Sequence, residues 1–263
     1  MTTVLVVESN PSNYPQDAHL FQAALAWIDP RIETRVARPL EHPLAADTLD
    51  GADGVIFTGS AVDWGVDDPR GAPLWAAMET VFARGLPTYG SCNGMQLAAS
   101  VLGGSSEASP NGRERGLAVG ITLTRAGLAH PFLAGRRQGF SVPCIHSHEV
   151  TALPEGAIPL AGNAHSPVQA FAYDEGGVSF WGVQYHPEIP PAHMAQVLIR
   201  AGETDAAMIA DLEVAEADAG AAIRLGGAPE DLAPATRLTE LRNWLRHIRA
   251  HGSFEKPHVL DTA

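Results

Sequence analysis

The sequence predicts an α/β fold: an open, mostly parallel sheet with helices on both faces, an antiparallel extension and a helical C-terminal appendage. Three observations predict it. Short, continuous apolar runs alternate with helical spacings over the first hundred residues, the pattern of a buried parallel sheet with right-handed crossovers. From about Gly116 the rhythm changes to short strand-like pieces divided by Gly, Pro and Asn, with little helix between them. Beyond Pro190 the chain turns helical, with an Ala- and Glu-rich segment from residue 203.

Taken in order, Thr3 to Val7 is a β-branched run suited to a strand buried on both faces, and Phe21, Leu25 and Ile28 recur at helical spacing. Ile32 to Val36 alternates as a strand, and Gly54 to Phe57 is a further strand ending at Thr58-Gly59-Ser60. Leu74, Met78, Val81 and Phe82 mark an amphipathic helix, after which Leu86 opens a strand into a turn. The later strand-like pieces are Leu117 to Leu123, Glu149 to Leu153, Pro167 to Tyr173 and Val178 to Val183, expected as antiparallel additions to the same sheet.

Composition narrows the function. With 263 residues, 45% hydrophobic and 18% charged, the chain has the makings of a filled core. Its net charge of −13 speaks against a phosphate-backbone site and a basic membrane patch, so neither nucleic acid nor membrane is expected as a partner. Lys256 is the sole lysine, which removes Schiff-base and P-loop chemistry from the core. Two cysteines, Cys92 and Cys144, make neither a disulfide framework nor a zinc site, and a cytoplasmic location is expected. No apolar run reaches the ~18 residues of a membrane span.

The chemistry centres on Leu86 to Ala98, LPTYGSCNGMQLA, read as strand, tight turn, helix with Cys92 at the turn. A lone cysteine in an apolar stretch is ordinarily core filler. Here Gly90 and Gly94 bracket it as glycines bracket the nucleophile of G-x-S-x-G elbows, and a helix N-terminus favours a thiolate. His186-Pro187-Glu188, about ninety residues on, completes the order nucleophile, base, orienter.

At these residues the sequence resembles the class I, triad-type glutamine amidotransferases, most of all the amidotransferase domain of GMP synthases, here standing alone. Gly90, Cys92, Gly94 and Gln96 match the family's G-x-C-x-G-x-Q, and His186, Pro187 and Glu188 match its H-P-E. The resemblance implies Cys92, His186 and Glu188 as catalytic triad, the backbone N–H groups of Gly59 and Asn93 as oxyanion hole, and Gln96, His146 and Ser147 at the substrate. It covers roughly residues 1–200, giving an expected division into a 1–202 amidotransferase-like domain and a 203–263 helical extension. Two positions depart from the family: His148 stands where an Asp is common, and Thr58-Gly59-Ser60 has one glycine where two are usual. No cofactor is implied, and His146 with His148 is read as a substrate-side loop rather than a metal site.

The implied reaction is cysteine-dependent hydrolysis of glutamine or another γ-glutamyl amide through a γ-glutamyl thioester, releasing glutamate and ammonia or an amine. No synthase motif occurs in the chain. Either a synthase subunit acts in trans, or the protein is a stand-alone γ-glutamyl peptidase or hydrolase; a non-catalytic binding module is the remaining alternative. In the extension, a Gly226-Gly227 break is expected to separate two helical segments. Leu238, Leu241, Leu245 and Ile248 form one apolar stripe, to be buried on the core or against a second copy of the chain. That tail is expected to govern assembly more than the chemistry of Cys92.

Overall fold

Strand β1 (Thr3–Val7) is apolar along its length, and all of it but Thr3 is buried, as the central position of a sheet requires. A computed structural model describes residues 2–252. After β1 come α1 (Ala18–Ile28), β2 (Glu33–Ala37), β3 (Gly54–Phe57), α2 (Ala72–Ala83), β4 (Thr88–Ser91) and α3 (Asn93–Val101). The irregular half follows: β5 (Ser105–Ala108), β6 (Glu114–Leu123), α4 (Arg125–Ala129), β7 (Phe140–His146), β8 (His148–Ala152), β9 (Ile158–Gly162), β10 (Ala170–Tyr173) and β11 (Phe180–Val183). The chain ends in helices α5 (Pro191–Arg200), α6 (Ala206–Val214), α7 (Ala219–Arg224), α8 (Pro229–Leu232), α9 (Pro234–Arg237) and α10 (Thr239–Gly252).

Nine strands form one sheet in the order β2-β1-β3-β4-β11-β10-β9-β6-β7. The first five are mutually parallel, and β10, β9, β6 and β7 add on as antiparallel neighbours. The expected parallel sheet with an antiparallel extension is therefore the observed one. One piece differs: β8 leaves the main sheet and pairs with β5 in a separate two-stranded ribbon. The pairing that matters for function is β11 with β4, Val183 opposite Ser91, because it delivers the segment after β11 to the turn after β4.

Each face of the sheet has its own core. Val4, Val6, Ile56 and Tyr89 pack with α1 and α10, whereas Leu5, Val7, Val55 and Phe57 pack with α2 and α3. A third cluster joins Leu117 to α5, α6 and α7. Among the described residues no helix is long and apolar enough to cross a membrane.

Among the described residues the tail forms five helices rather than two: Asp218 caps a fresh start at α7, and Gly226, Pro229 and Pro234 interrupt the chain beyond it. The stripe of Leu238, Leu241, Leu245 and Ile248 is buried on this chain's own sheet, together with Trp244. Helix α10 lies close enough that a Cβ on Gly54 would meet the Trp244 ring at 2.9 Å. Lys256 and the end of the expected extension lie outside the described residues.

Trp244 is wholly buried against Tyr89, ring centroids 5.9 Å apart, whereas Trp27 is 54% exposed. Trp244→Ala should cost about 3 to 5 kcal/mol in urea unfolding, and Trp27→Ala should stay within about 0.5 kcal/mol. Equal, small losses would show that α10 is not part of the sheet's core.

Candidate active site

Cys92 sits between β4 and α3 at φ 49°, ψ −104°, the only non-glycine residue of positive φ among those described. Such a conformation costs of order 1–3 kcal/mol and holds only where the surroundings enforce it. Here they do. A Cβ on Gly90 would come within 2.7 Å of the Gly94 carbonyl group, and one on Gly94 would collide with the Phe57 backbone at the end of β3. The two glycines let strand, turn and helix pack without a layer of side chains between them.

The parallel register of β11 and β4 brings His186 beside the elbow. His186 Nδ1 donates to Glu188 Oε1 at 2.8 Å, and all three of Cys92, His186 and Glu188 are at most 5% exposed. Burial opposes a charged imidazole, but the Glu188 carboxylate and the Cys92 sulfur outweigh it and hold His186 protonated well above its usual range. Ser91 Oγ reaches both Glu188 oxygens, at 3.2 and 3.3 Å. Gln184 Nε2 lies 3.5 Å from Cys92 Sγ.

Gly59 follows β3, and its Cβ position would lie 2.7 Å from His186 Cε1 and 3.7 Å from Cys92 Cβ. Only glycine fits there. Among the described residues, neither the Gly59 nor the Asn93 backbone N–H has an acceptor, so two donors of the kind that hold an oxyanion flank the sulfur.

The remaining sequence-derived residues line the same pocket, of about 330 Å³, but are tied into the protein. Gln96 Nε2 donates to the His148 carbonyl at 2.8 Å and to Gln184 Oε1 at 3.2 Å. His146 is committed at both nitrogens, Nδ1 to the His148 carbonyl at 3.0 Å and Nε2 to Glu114 Oε2 at 2.8 Å. Ser147 Oγ accepts from Arg113 Nε at 3.1 Å. Together they shape the 145–148 loop, whose Ile145 carbonyl is 3.8 Å from Cys92 Sγ.

Glu114, Cys144 and His146 place ligand-type atoms within 4.8 Å of one another, the one metal-like cluster among the described residues. Glu114 is already satisfied by His146 and by the amides of Asn163 at 2.6 Å and Gln169 at 2.7 Å. Donors spent this way make a hydrogen-bonded network rather than an open coordination sphere. Burial and the nearby Glu114 push the Cys144 thiol well up, which leaves it unreactive.

Sequence reasoning passed over Ser91, Gln184 and Asp17. The first two stand next to or two places from an identified residue, so the strand period could have flagged them. Asp17 could not be placed from the sequence, because it reaches the pocket through the loop after β1.

The fold and the elbow define a class: an open, mostly parallel α/β sheet whose buried cysteine faces an imidazole held by a carboxylate, an arrangement that can attack a carbonyl. The family described as glutamine amidotransferase class-I matches residues 31–203, and the chain belongs to that family. A γ-glutamyl-L-1-hydroxyisopropylamide hydrolase of Pseudomonas sp. is 37% identical over 173 residues, 64% of this chain and 58% of that protein. The GMP synthase of Thermomicrobium roseum is 35% identical over 147 residues, 56% of this chain and 25% of the synthase. The match thus spans little more than half of the first relative and a quarter of the second. Solved glutamine amidotransferases of Thermotoga maritima (TM-score 0.66, 18% identity, 94% of this chain and 97% of that one) and Methylobacillus flagellatus (TM-score 0.67, 21% identity, 93% and 94%) share the fold.

Asp17 yields a pH prediction. Burial, then Glu8 and more weakly Glu188, raise its pKa to about 7 against the opposing effects of His186 and Asn10. Unfolded, it ionises near ~3.9, so the folded state holds the proton more tightly. Its contribution to stability is intact below ~pH 4 and is lost as pH rises towards 7. Asp17→Asn should match wild type near pH 4.5 and exceed it at pH 8 by on the order of 2 kcal/mol, since the full shift would give about 4 and partial exposure screens it. Urea unfolding at both pH values checks this; no gain at pH 8 would contradict the burial.

Proposed function

We propose that the chain hydrolyses γ-glutamyl amides through a γ-glutamyl thioester on Cys92. The observation that carries this reading is the elbow itself: a buried sulfur at positive φ, beside an imidazole held by the Glu188 carboxylate and two backbone N–H groups unpaired among the described residues. Cys92, its proton held on His186, attacks the γ-carbonyl. The oxyanion is met by the Gly59 and Asn93 N–H groups, each worth on the order of 100- to 1000-fold in rate. His186 protonates the leaving nitrogen, Glu188 and Ser91 keep the ring oriented, and water then releases glutamate. Gln96, Ser147 and the 145–148 main chain form the wall that receives the glutamyl part, with His146 setting that loop's shape.

The substrate read here is a γ-glutamyl amide of a substituted amine. The Pseudomonas relative acts on such an amide by its name, and Tyr14, Val62, Trp64 and Val197 give the pocket apolar wall beyond what an amide nitrogen occupies. The GMP synthase relatives support a second reading, in which glutamine is the amide and a synthase subunit in trans takes the ammonia. Residues 1–202 would serve as the amidotransferase part and 203–263 as the helical extension, with a cytoplasmic location.

The test compares glutamine with a set of γ-glutamyl alkylamides, following glutamate release. Turnover of the alkylamides with kcat/KM above that for glutamine supports the first reading; the reverse order supports the second; release from neither would overturn both. Cys92→Ser should lower the rate by at least about 1000-fold with the melting temperature kept. A glutamine-like chloroketone should label Cys92 and leave Cys144 untouched, as read by peptide mass spectrometry.

A further inference from the structure

Asp17 is the one acidic side chain among the residues lining the pocket that holds Cys92 and His186. It stands at the start of α1, where an aspartate ordinarily caps the helix by accepting from the first N–H groups. It does no such thing here. Glu8, at the end of β1, takes that work: its Oε2 accepts from the N–H of Asp17 at 2.7 Å and of Ala18 at 2.8 Å. The Asp17 side chain makes no capping bond.

What holds the Asp17 carboxyl is a single contact, from Asn10 Nδ2 to Oδ2 at 3.1 Å; Oδ1 has no partner among the described residues. Asn10 is itself fixed, its Oδ1 accepting from Ala61 N at 2.7 Å and Ser60 Oγ at 3.1 Å. Asn10 therefore ties Asp17 to the Ser60-Ala61 segment, which lines the same pocket just beyond Gly59. His186 is close enough for its charge to act on Asp17. A leaving nitrogen must depart on the imidazole's side, because the imidazole gives it the proton.

We propose that Asp17 is the amine-side binding residue of this pocket, its carboxylate receiving the departing nitrogen as a protonated amine. The inference rests on the hydrolytic reading above. In the step concerned the Cys92 Sγ–carbon bond has formed, the carbon–nitrogen bond breaks, and the proton of His186 passes to nitrogen. A second proton, from solvent or from a protonated Asp17, converts the neutral amine to an ammonium. Its positive charge sits against the carboxylate, and without a lone pair the nitrogen cannot return to the thioester. A carboxyl raised to about pKa 7 has the most to gain from such a cation. Ammonia and a substituted amine share this chemistry, so the substrate panel distinguishes them.

The test exploits a substrate whose leaving group is no amine. Asp17→Asn and Asp17→Ala are compared with wild type on glutamine, a γ-glutamyl alkylamide and γ-glutamyl methyl ester, with melting temperatures recorded for each. The expected result is a fall of about 10- to 100-fold in kcat/KM on the amide whose amine is bound, with the ester within about 3-fold of wild type. A loss confined to the alkylamide names a substituted amine; a loss on glutamine names ammonia. Parallel losses on amide and ester, or no loss on either amide, overturn the inference while leaving the hydrolytic reading standing. A wild-type chain inactive on all three overturns both.

Discussion

One close approach of backbones governs this molecule. The carbonyl group of Gly94 lies where a Cβ on Gly90 would have to be, and the Phe57 backbone where one on Gly94 would have to be. Strands β3 and β4 and helix α3 therefore meet without intervening side chains, and the residue caught between them, Cys92, is held in a left-handed conformation that a β-carbon resists. Everything chemical follows from that constraint. The sulfur sits at the C-terminal end of β4, the N–H groups of Gly59 and Asn93 have no acceptor among the described residues, and β11 needs only to pair with β4 to supply His186.

The second dependence runs through the tail. Arg136 and Glu240 form a doubly hydrogen-bonded ion pair at 2.7 Å with both side chains fully buried, and Tyr185 donates to the same carboxylate at 2.8 Å. Arg237 donates to the Pro187 carbonyl, between His186 and Glu188. A buried pair of this kind adds little net stability, but losing one partner leaves an uncompensated charge. The tail thus grips the turn that carries the histidine and its carboxylate.

What was legible in the sequence, and what was not, divides along physical lines. β1, β3 and α2 were legible because buried parallel strands and amphipathic helices write their periods locally, and the elbow because glycines on both sides of a cysteine have a steric reason to be there. β7 was missed although all but one of its residues are buried, since Pro143 and Cys144 interrupt its pattern, and β8 was assigned to the wrong sheet because alternation does not name a partner. The apolar stripe of α10 was found, but not the polar hooks Arg237 and Glu240, whose partners lie about 50 and about 100 residues away in sequence. Likewise Glu8's capture of the α1 N-terminus, which frees Asp17, depends on two segments meeting in space.

The grip of the tail has a consequence for the order of events at the ribosome. Cys92, His186 and Glu188 are all synthesised before Arg237 and Glu240, and at about 5 to 20 residues per second the 52 residues from Glu188 to Glu240 take roughly 3 to 10 s. Throughout that interval Arg136 has no buried carboxylate to pair with, and the turn bearing the histidine lacks its brace. A nascent chain therefore carries Cys92 beside an unbraced His186 until Arg237 and Glu240 of the tail have been made.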